Sequence, residues 1–418
     1  MSAPRPGRPS PWGPTLAIIG GLGLVAASLL VVPALLAPNE AATPIGLPSP
    51  ASPARSVEAS PYRSISWAVV PFGDPAVELD MLVAHDGRLI AAGQADGDTG
   101  FWYSDTGGHQ WIRSGVGGRD PPQEEARAAA TTLIGSGLGL LATGEWVGAE
   151  GGSVGALLMV SADGRHWEIL PVQPELAASR ITALLGANDG YLAYAVDTLT
   201  NIAGWWQSAD GLNWSTAAVT GLPTRVPPSA FAAGEHEVVA VGRRPALGEA
   251  APGAWVSEDG FAWTSTLEDT ASFGYVESVS RGEAGYAAAG STWAGGGRPE
   301  QGLATLWRSP DGRSWAALTM SQEAGTSIGD LAMTDAGVVG ILYQLAGSQM
   351  HAAFVAHGSD ELTSVPLPLR AVATVALDDG FVMLGRCPEN VDCPSATYLL
   401  LGTPTEDARA PAPTIPPS

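Results

Sequence analysis

The sequence predicts an all-β fold assembled from seven repeats of short antiparallel strands, and three observations carry that prediction. A turn signature recurs as Ser161-Ala-Asp163-Gly164-Arg-His-Trp167, Ser208-Ala-Asp210-Gly211-Leu-Asn-Trp214, Ser257-Glu-Asp259-Gly260-Phe-Ala-Trp263 and Ser309-Pro-Asp311-Gly312-Arg-Ser-Trp315. A looser copy, Ser104-Asp-Thr106-Gly-Gly108-His-Gln-Trp111, precedes them. Their spacing, about 50 residues, is that of a repeat architecture. Each copy also has the chemistry of a hairpin corner: Asp bonds backbone N–H groups two residues on, and Gly supplies positive φ without steric cost. The tryptophan opens the next strand and returns a large apolar surface under the turn, where its indole N–H needs a partner. Finally, paired apolar runs around a Gly or acidic turn occur seven times, at Met81–Gly93, Thr132–Gly144, Ile181–Ala195, Ala230–Gly242, Val279–Gly290, Leu331–Leu342 and Val372–Gly385.

The corner motif resembles the Asp-box, or BNR repeat, found in sialidases and in several non-enzymatic β-propellers. In that family the motif joins the third and fourth strands of a blade and is structural, so the resemblance implies a fold and no chemistry. Four copies here are one residue shorter than the family pattern, and the first has Thr106 where the aspartate belongs. The resemblance covers roughly residues 64–403 and implies a β-propeller, read here as seven four-stranded blades, with six or eight as the alternatives.

Taken in order, residues 1–15 are a short Pro-rich start carrying Arg5 and Arg8. Residues 16–37 are uncharged and long enough at 1.5 Å per residue to cross a bilayer core of about 30 Å. The preceding arginines, with Glu40 after the span, place the N-terminus in the cytoplasm and the body outside. The alternative is a cleaved signal peptide and a secreted body. Against it stand a run longer than the usual apolar region of about 7–15 residues and a proline after Ala37. Residues 38–63, rich in Pro, Ala and Ser, read as a spacer.

The repeats occupy 64–403. The seventh unit lacks a fourth strand, and Ile65-Ser-Trp67-Ala-Val-Val70 resembles the segments that follow the corners. That stretch is therefore expected to close the ring as the outer strand of the last blade, which removes an exposed edge. Residues 404–418 read as a disordered Pro-rich tail.

The 418 residues carry a formal net charge of −22, and every basic residue is arginine. Such acidity excludes the nucleic-acid binders, which need basic surface, and suits a solvated extracellular surface or calcium. The two cysteines, Cys387 and Cys393, close a short acidic loop and read as a disulfide formed in an oxidising compartment. Zinc would want more ligands than the six scattered histidines supply.

Binding on such a frame is expected on the face opposite the corners, where Gln94–Gly100, Glu145–Gly155, Val196–Gly204, Arg243–Gly253, Ser291–Gly302 and Arg386–Ser395 form long, unequal loops. They offer Glu145, Trp146, Arg243, Arg244, Trp293, Arg298 and Glu300 as ligand-face candidates; the alternative is a solvated, variable rim. Asp96 and Asp98 place carboxylates at alternate positions of a glycine turn, a weak calcium candidate against a plain acidic turn.

The resemblance also raises a sialidase-type glycoside hydrolase, which needs three arginines, a Tyr–Glu nucleophile pair and an acid. Tyr275 and Glu277, on the loop before the fifth unit and sharing a face by alternation, are the weak candidates, with Arg281 nearby. The Phe/Tyr-Arg-Ile-Pro segment of that family is missing. The leading expectation is a membrane-anchored, extracytoplasmic propeller, monomeric, that binds a cell-envelope protein or glycan and no nucleic acid.

Overall fold

The structure is a computed structural model that describes residues 60–415, apart from 96, 119–120, 124, 188–189, 225, 247–248, 268–271, 295–296, 322, 346, 348, 389–390, 392 and 408–410. The proposed span 16–37, the residues before it, the spacer as far as 59 and Asp96 lie outside the described residues. Among those described, no helix is long and apolar enough to cross a membrane.

The short apolar runs form seven antiparallel sheets arranged as a seven-bladed β-propeller. The second strand of a blade is sandwiched between its neighbours and is buried on both faces, as in Arg88–Ala95, Gly139–Val147 and Gly380–Arg386. Small side chains such as Ala91 and Ala92, or Ala287, Ala288 and Ala289, let the sheets approach closely there. Several outer strands are short and exposed, as at Ile112–Arg113 and Ser215–Thr216. The core divides into seven apolar clusters, one at each blade-to-blade contact, so the ring has no gap.

Ring closure is made by the N-terminal strand. Ser64–Pro71 lies antiparallel to Thr397–Thr405 and is the outer strand of the blade that also contains Arg370–Leu377 and Gly380–Arg386. Trp67 and Ile65 thereby enter the cluster between the last two blades, against which Ile415 of the tail also packs. One blade gains a fifth strand: Gly115–Gly118 leaves the first blade and pairs in parallel with His166–Ile169 of the second.

The five corners share one bonding pattern. Each indole N–H donates to its own corner glycine carbonyl: Trp111 to Gly108 at 2.9 Å, Trp167 to Gly164 at 3.2 Å, Trp214 to Gly211 at 3.0 Å, Trp263 to Gly260 at 2.8 Å and Trp315 to Gly312 at 3.0 Å. The aspartates accept backbone N–H groups two and three residues on, Leu212 and Asn213 for Asp210 and Phe261 and Ala262 for Asp259, all at 2.8 Å. Asp311 does the same with Arg313 and Ser314 at 2.9 Å, and Asp163 accepts from Arg165 at 2.9 Å. Where the first corner has Thr106, its hydroxyl takes the N–H of Gln110 at 2.8 Å. Gly164 sits at φ 78°, and a Cβ there would lie 2.1 Å from Ile90 Cδ1, so both conformation and space require glycine.

Six of the seven innermost strands break their ladder with a β-bulge, at residues 79/81, 130/132, 181/183, 276/278, 328/331 and 371/373. A bulge leaves one residue unpaired and re-aims its side chain. Asp80, Thr131, Thr182, Glu277, Asp330 and Val372 occupy these positions, on the strands that line the central channel.

Candidate functional site

The strand directions put the ends of the second strands and the starts of the innermost strands on the face opposite the corners. Arg243, Trp293 and Tyr343 lie near the ends of the second strands of the fourth, fifth and sixth blades. Tyr275 and Glu277 lie early in the innermost strand of the fifth, Ser272–Gly282. These five residues meet at the channel mouth. The Tyr343 hydroxyl donates to the Glu277 carboxylate, 2.8 and 2.7 Å from its two oxygens. The exposed Arg243 folds its guanidinium over the Tyr275 ring, 4.8 Å from the centroid, and Trp293 packs edge-on to that ring at 6.0 Å. Gly329 makes room for the dyad, since a Cβ there would lie 3.1 Å from the Tyr343 ring and 3.5 Å from Glu277 Oε2.

The electrostatics follow from enclosure. Burial raises the Glu277 carboxyl above the ordinary carboxylate range, although the Tyr343 bond and the Arg243 charge work the other way. Burial likewise raises Tyr275 and Tyr343, with the Glu277 charge adding to both. One blade further round, burial lifts Asp330 to about 7 against the backbone N–H groups of Thr374 and Leu331 that bond it. Asp330 is half-buried, and its carboxylate accepts the backbone N–H of Thr374 on the next blade. Ser327 Oγ is fully buried beside the Tyr275 and Tyr343 phenols and makes no well-formed hydrogen bond. Trp293 Nε1 also lacks a partner among the described residues.

The expected Tyr275–Glu277 pair needs correction in two respects. The residues lie on a strand rather than a loop, and the bulge at Glu277 breaks the alternation that would put them on one face. Glu277 takes its phenol from Tyr343 instead. Arg281 is at the far end of the same strand, opposite Tyr286 and 3.9 Å from Glu235, roughly 20 Å along the strand from Tyr275. Among the described residues the guanidinium on this phenol is that of Arg243.

No protein-family model matches the sequence, and no curated protein matches it. Among solved structures the chain is similar to a puromycin-hydrolyzing peptidase of Mycobacterium tuberculosis, with a TM-score of 0.46 and 12% identity over 85% of this chain and 58% of that one. It is similar to Trypanosoma rangeli sialidase in complex with sialic acid, with a TM-score of 0.41 and 14% identity over 80% of this chain and 57% of that one. The β-propeller domain of the Trilobed protease from Pyrococcus furiosus gives 0.45 and 10% over 79% of this chain and 96% of that domain. The chain thus spans a little over half the length of the peptidase and of the sialidase, and at these identities the likeness concerns architecture alone.

The other predicted face residues are dispersed. Trp146 is buried in the contact between the first two blades, and Glu145 is half-buried beside it. Two of the expected long loops are strand hairpins that project from the face: Val238–Ala246 with Glu249–Ser257, and Arg88–Ala95 with Asp98–Ser104. Arg244 rides on the first of these, its Nε 3.2 Å from the Pro252 carbonyl. Arg298 and Glu300 are exposed at a single 3-10 turn, Pro299–Gln301. Asp98 is exposed, and the Arg127 side chain lies over Gly97 of its turn. Among the described residues no cluster of three His, Cys, Asp or Glu side chains forms. Cys387 and Cys393 are disulfide-bonded, with Cα atoms 6.1 Å apart, and tie the loop after Gly380–Arg386.

The exposed aliphatic residues of this face carry no sequence motif. Leu199 and Ile202 in the loop after Gly190–Asp197 are 85% and 70% exposed, and Val226 before the fourth blade, Leu345 in the sixth and Val391 in the seventh are exposed at separate points round the same face.

Proposed function

We propose that the chain is an Asp-box propeller held outside the membrane by its N-terminal segment, and that the face opposite the corners binds a cell-envelope protein. The observation that carries the reading is the set of five exposed aliphatic side chains on that face, Leu199, Ile202, Val226, Leu345 and Val391. Apolar side chains left in water on one face are what a protein partner covers. The chain has no lysine for amine cross-linkers, so the test installs a photo-reactive residue at Leu199, with Leu212 on the corner face as control, in the full chain in intact membranes. A discrete adduct from position 199 alone supports the reading; equal labelling from both positions, or none, overturns it.

A second reading is favoured by one contact. The Tyr343–Glu277 bond is the phenol–carboxylate couple that a sialidase-type hydrolase requires. Turnover of an aryl sialoside, lost in Tyr343→Phe, would establish that reading; no turnover by the native chain removes it.

A further inference from the structure

The channel mouth combines groups that stabilise positive charge with an arginine of the chain itself. The Tyr275, Tyr343 and Trp293 rings present aromatic surface, and the faces of such rings attract cations. Glu277 makes no ion pair among the described residues; its two oxygens share the one hydrogen of the Tyr343 phenol, and Arg243 acts on it from further away. A carboxyl enclosed in this way, with no cation in contact, is raised toward its neutral form, and a cation in contact favours the charged form. Ser327 Oγ lies fully buried beside the two phenols. Arg243 is exposed, and one face of its guanidinium lies on the Tyr275 ring.

We propose that the mouth between the fourth, fifth and sixth blades is a receptor for an organic cation, the guanidinium or ammonium of a basic side chain on the partner protein, which displaces Arg243 from Tyr275 and pairs with Glu277. This rests on the reading that the same face binds a protein, and it identifies the anchor such a protein presents. The Glu277 carboxyl and the Tyr275 ring complement a cation, and the chain's own acidity repels acidic partners.

The test uses the full chain in detergent and follows tryptophan fluorescence or ligand NMR during titration with n-propylguanidinium and n-butylammonium, with butyrate and butanol as controls. Arg243→Ala vacates the ring and is expected to tighten both cations about tenfold. Glu277→Gln keeps an acceptor for Tyr343 and is expected to weaken them by a similar factor. Cation binding with that pattern supports the proposal. If butyrate binds the native chain and is lost in Arg243→Ala, the site is one for anions and the proposal fails. It fails too if the cations bind no more tightly than butanol. Cations that bind without any adduct at position 199 would retain the site and remove the protein-binding reading. An adduct at 199 with no cation affinity would do the reverse.

Discussion

On the corner face the aspartates and indoles have partners within their own turn, whereas at the channel mouth enclosed carboxyls and hydroxyls are left short of them. Asp210 shows the first condition: the Asn213 backbone N–H, with further bonds from Leu212 and Ser208, holds it down at about 2. Asp330 and Glu277 show the second, both raised by burial. Both faces are built from the same repeat, so the difference lies in where the chain can supply donors. A turn brings N–H groups two and three residues away back onto the carboxylate. A bulge on an innermost strand turns a side chain out of its ladder, where backbone donors are fewer than burial demands: two N–H groups leave Asp330 raised, and Glu277 has one phenol. One face is a fastening; the other is chemically unfinished.

The largest effect should come from removing a fastening at a blade contact. Trp167 stacks on Phe101 of the preceding blade at 4.0 Å and is almost fully buried. Trp167→Ala should cost about 3–5 kcal/mol, read as a fall in the urea midpoint. Next comes Asp330→Asn. A carboxyl raised to about 7 in the folded chain contributes its stability below its unfolded value of 3.8 and loses it as pH rises through 7. The asparagine keeps an acceptor for Thr374 and is spared that loss. It should be more stable than the native chain by on the order of 2–4 kcal/mol at pH 8, with the advantage gone by pH 4. Equal midpoints at pH 8 would show that the channel solvates this group.

The corner aspartates carry the opposite sign. Asp210 is lowered, so its contribution is present above the ordinary carboxylate range and disappears as pH falls toward 2. Asp210→Ala should cost about 1 kcal/mol near neutral pH, and less in acid. The smallest effect is expected from finishing the first corner: Thr106→Asp offers a charged acceptor to Gln110 and should gain less than about 1 kcal/mol in thermal unfolding.

The contrast also governs what could be read from the sequence. The corners were legible because Ser, Asp, Gly and Trp sit within seven residues of one another, so spacing alone specifies their bonds. The closing strand was legible for a related reason: Ile65 and Trp67 repeat the pattern that follows each corner. The mouth was hidden by distance and direction. Tyr343 finds Glu277 from another blade, 66 positions away, and no local spacing signals it. Arg281 is near Tyr275 in sequence, but an extended strand carries it to the other end of the ring, while Arg243 arrives from the preceding blade. The bulge at Glu277 inserts an extra residue that simple alternation does not foresee. Trp146 and Arg243 carry equal weight as residues in a presumed loop, and only packing separates the buried one from the exposed one.

The pairing of Ser64–Pro71 with Thr397–Thr405 also sets a timetable. The first strand to be synthesised is one of the last to find its neighbour. At ~5–20 residues per second the ribosome needs roughly half a minute to deliver that partner. Throughout that interval Ile65, Trp67 and Val69 form an apolar ribbon with open hydrogen bonds, the kind of segment that pairs with whatever strand it meets first. A cell making this protein must shelter that ribbon until the end of the chain is out, and the ring is then locked by its two oldest and youngest pieces together.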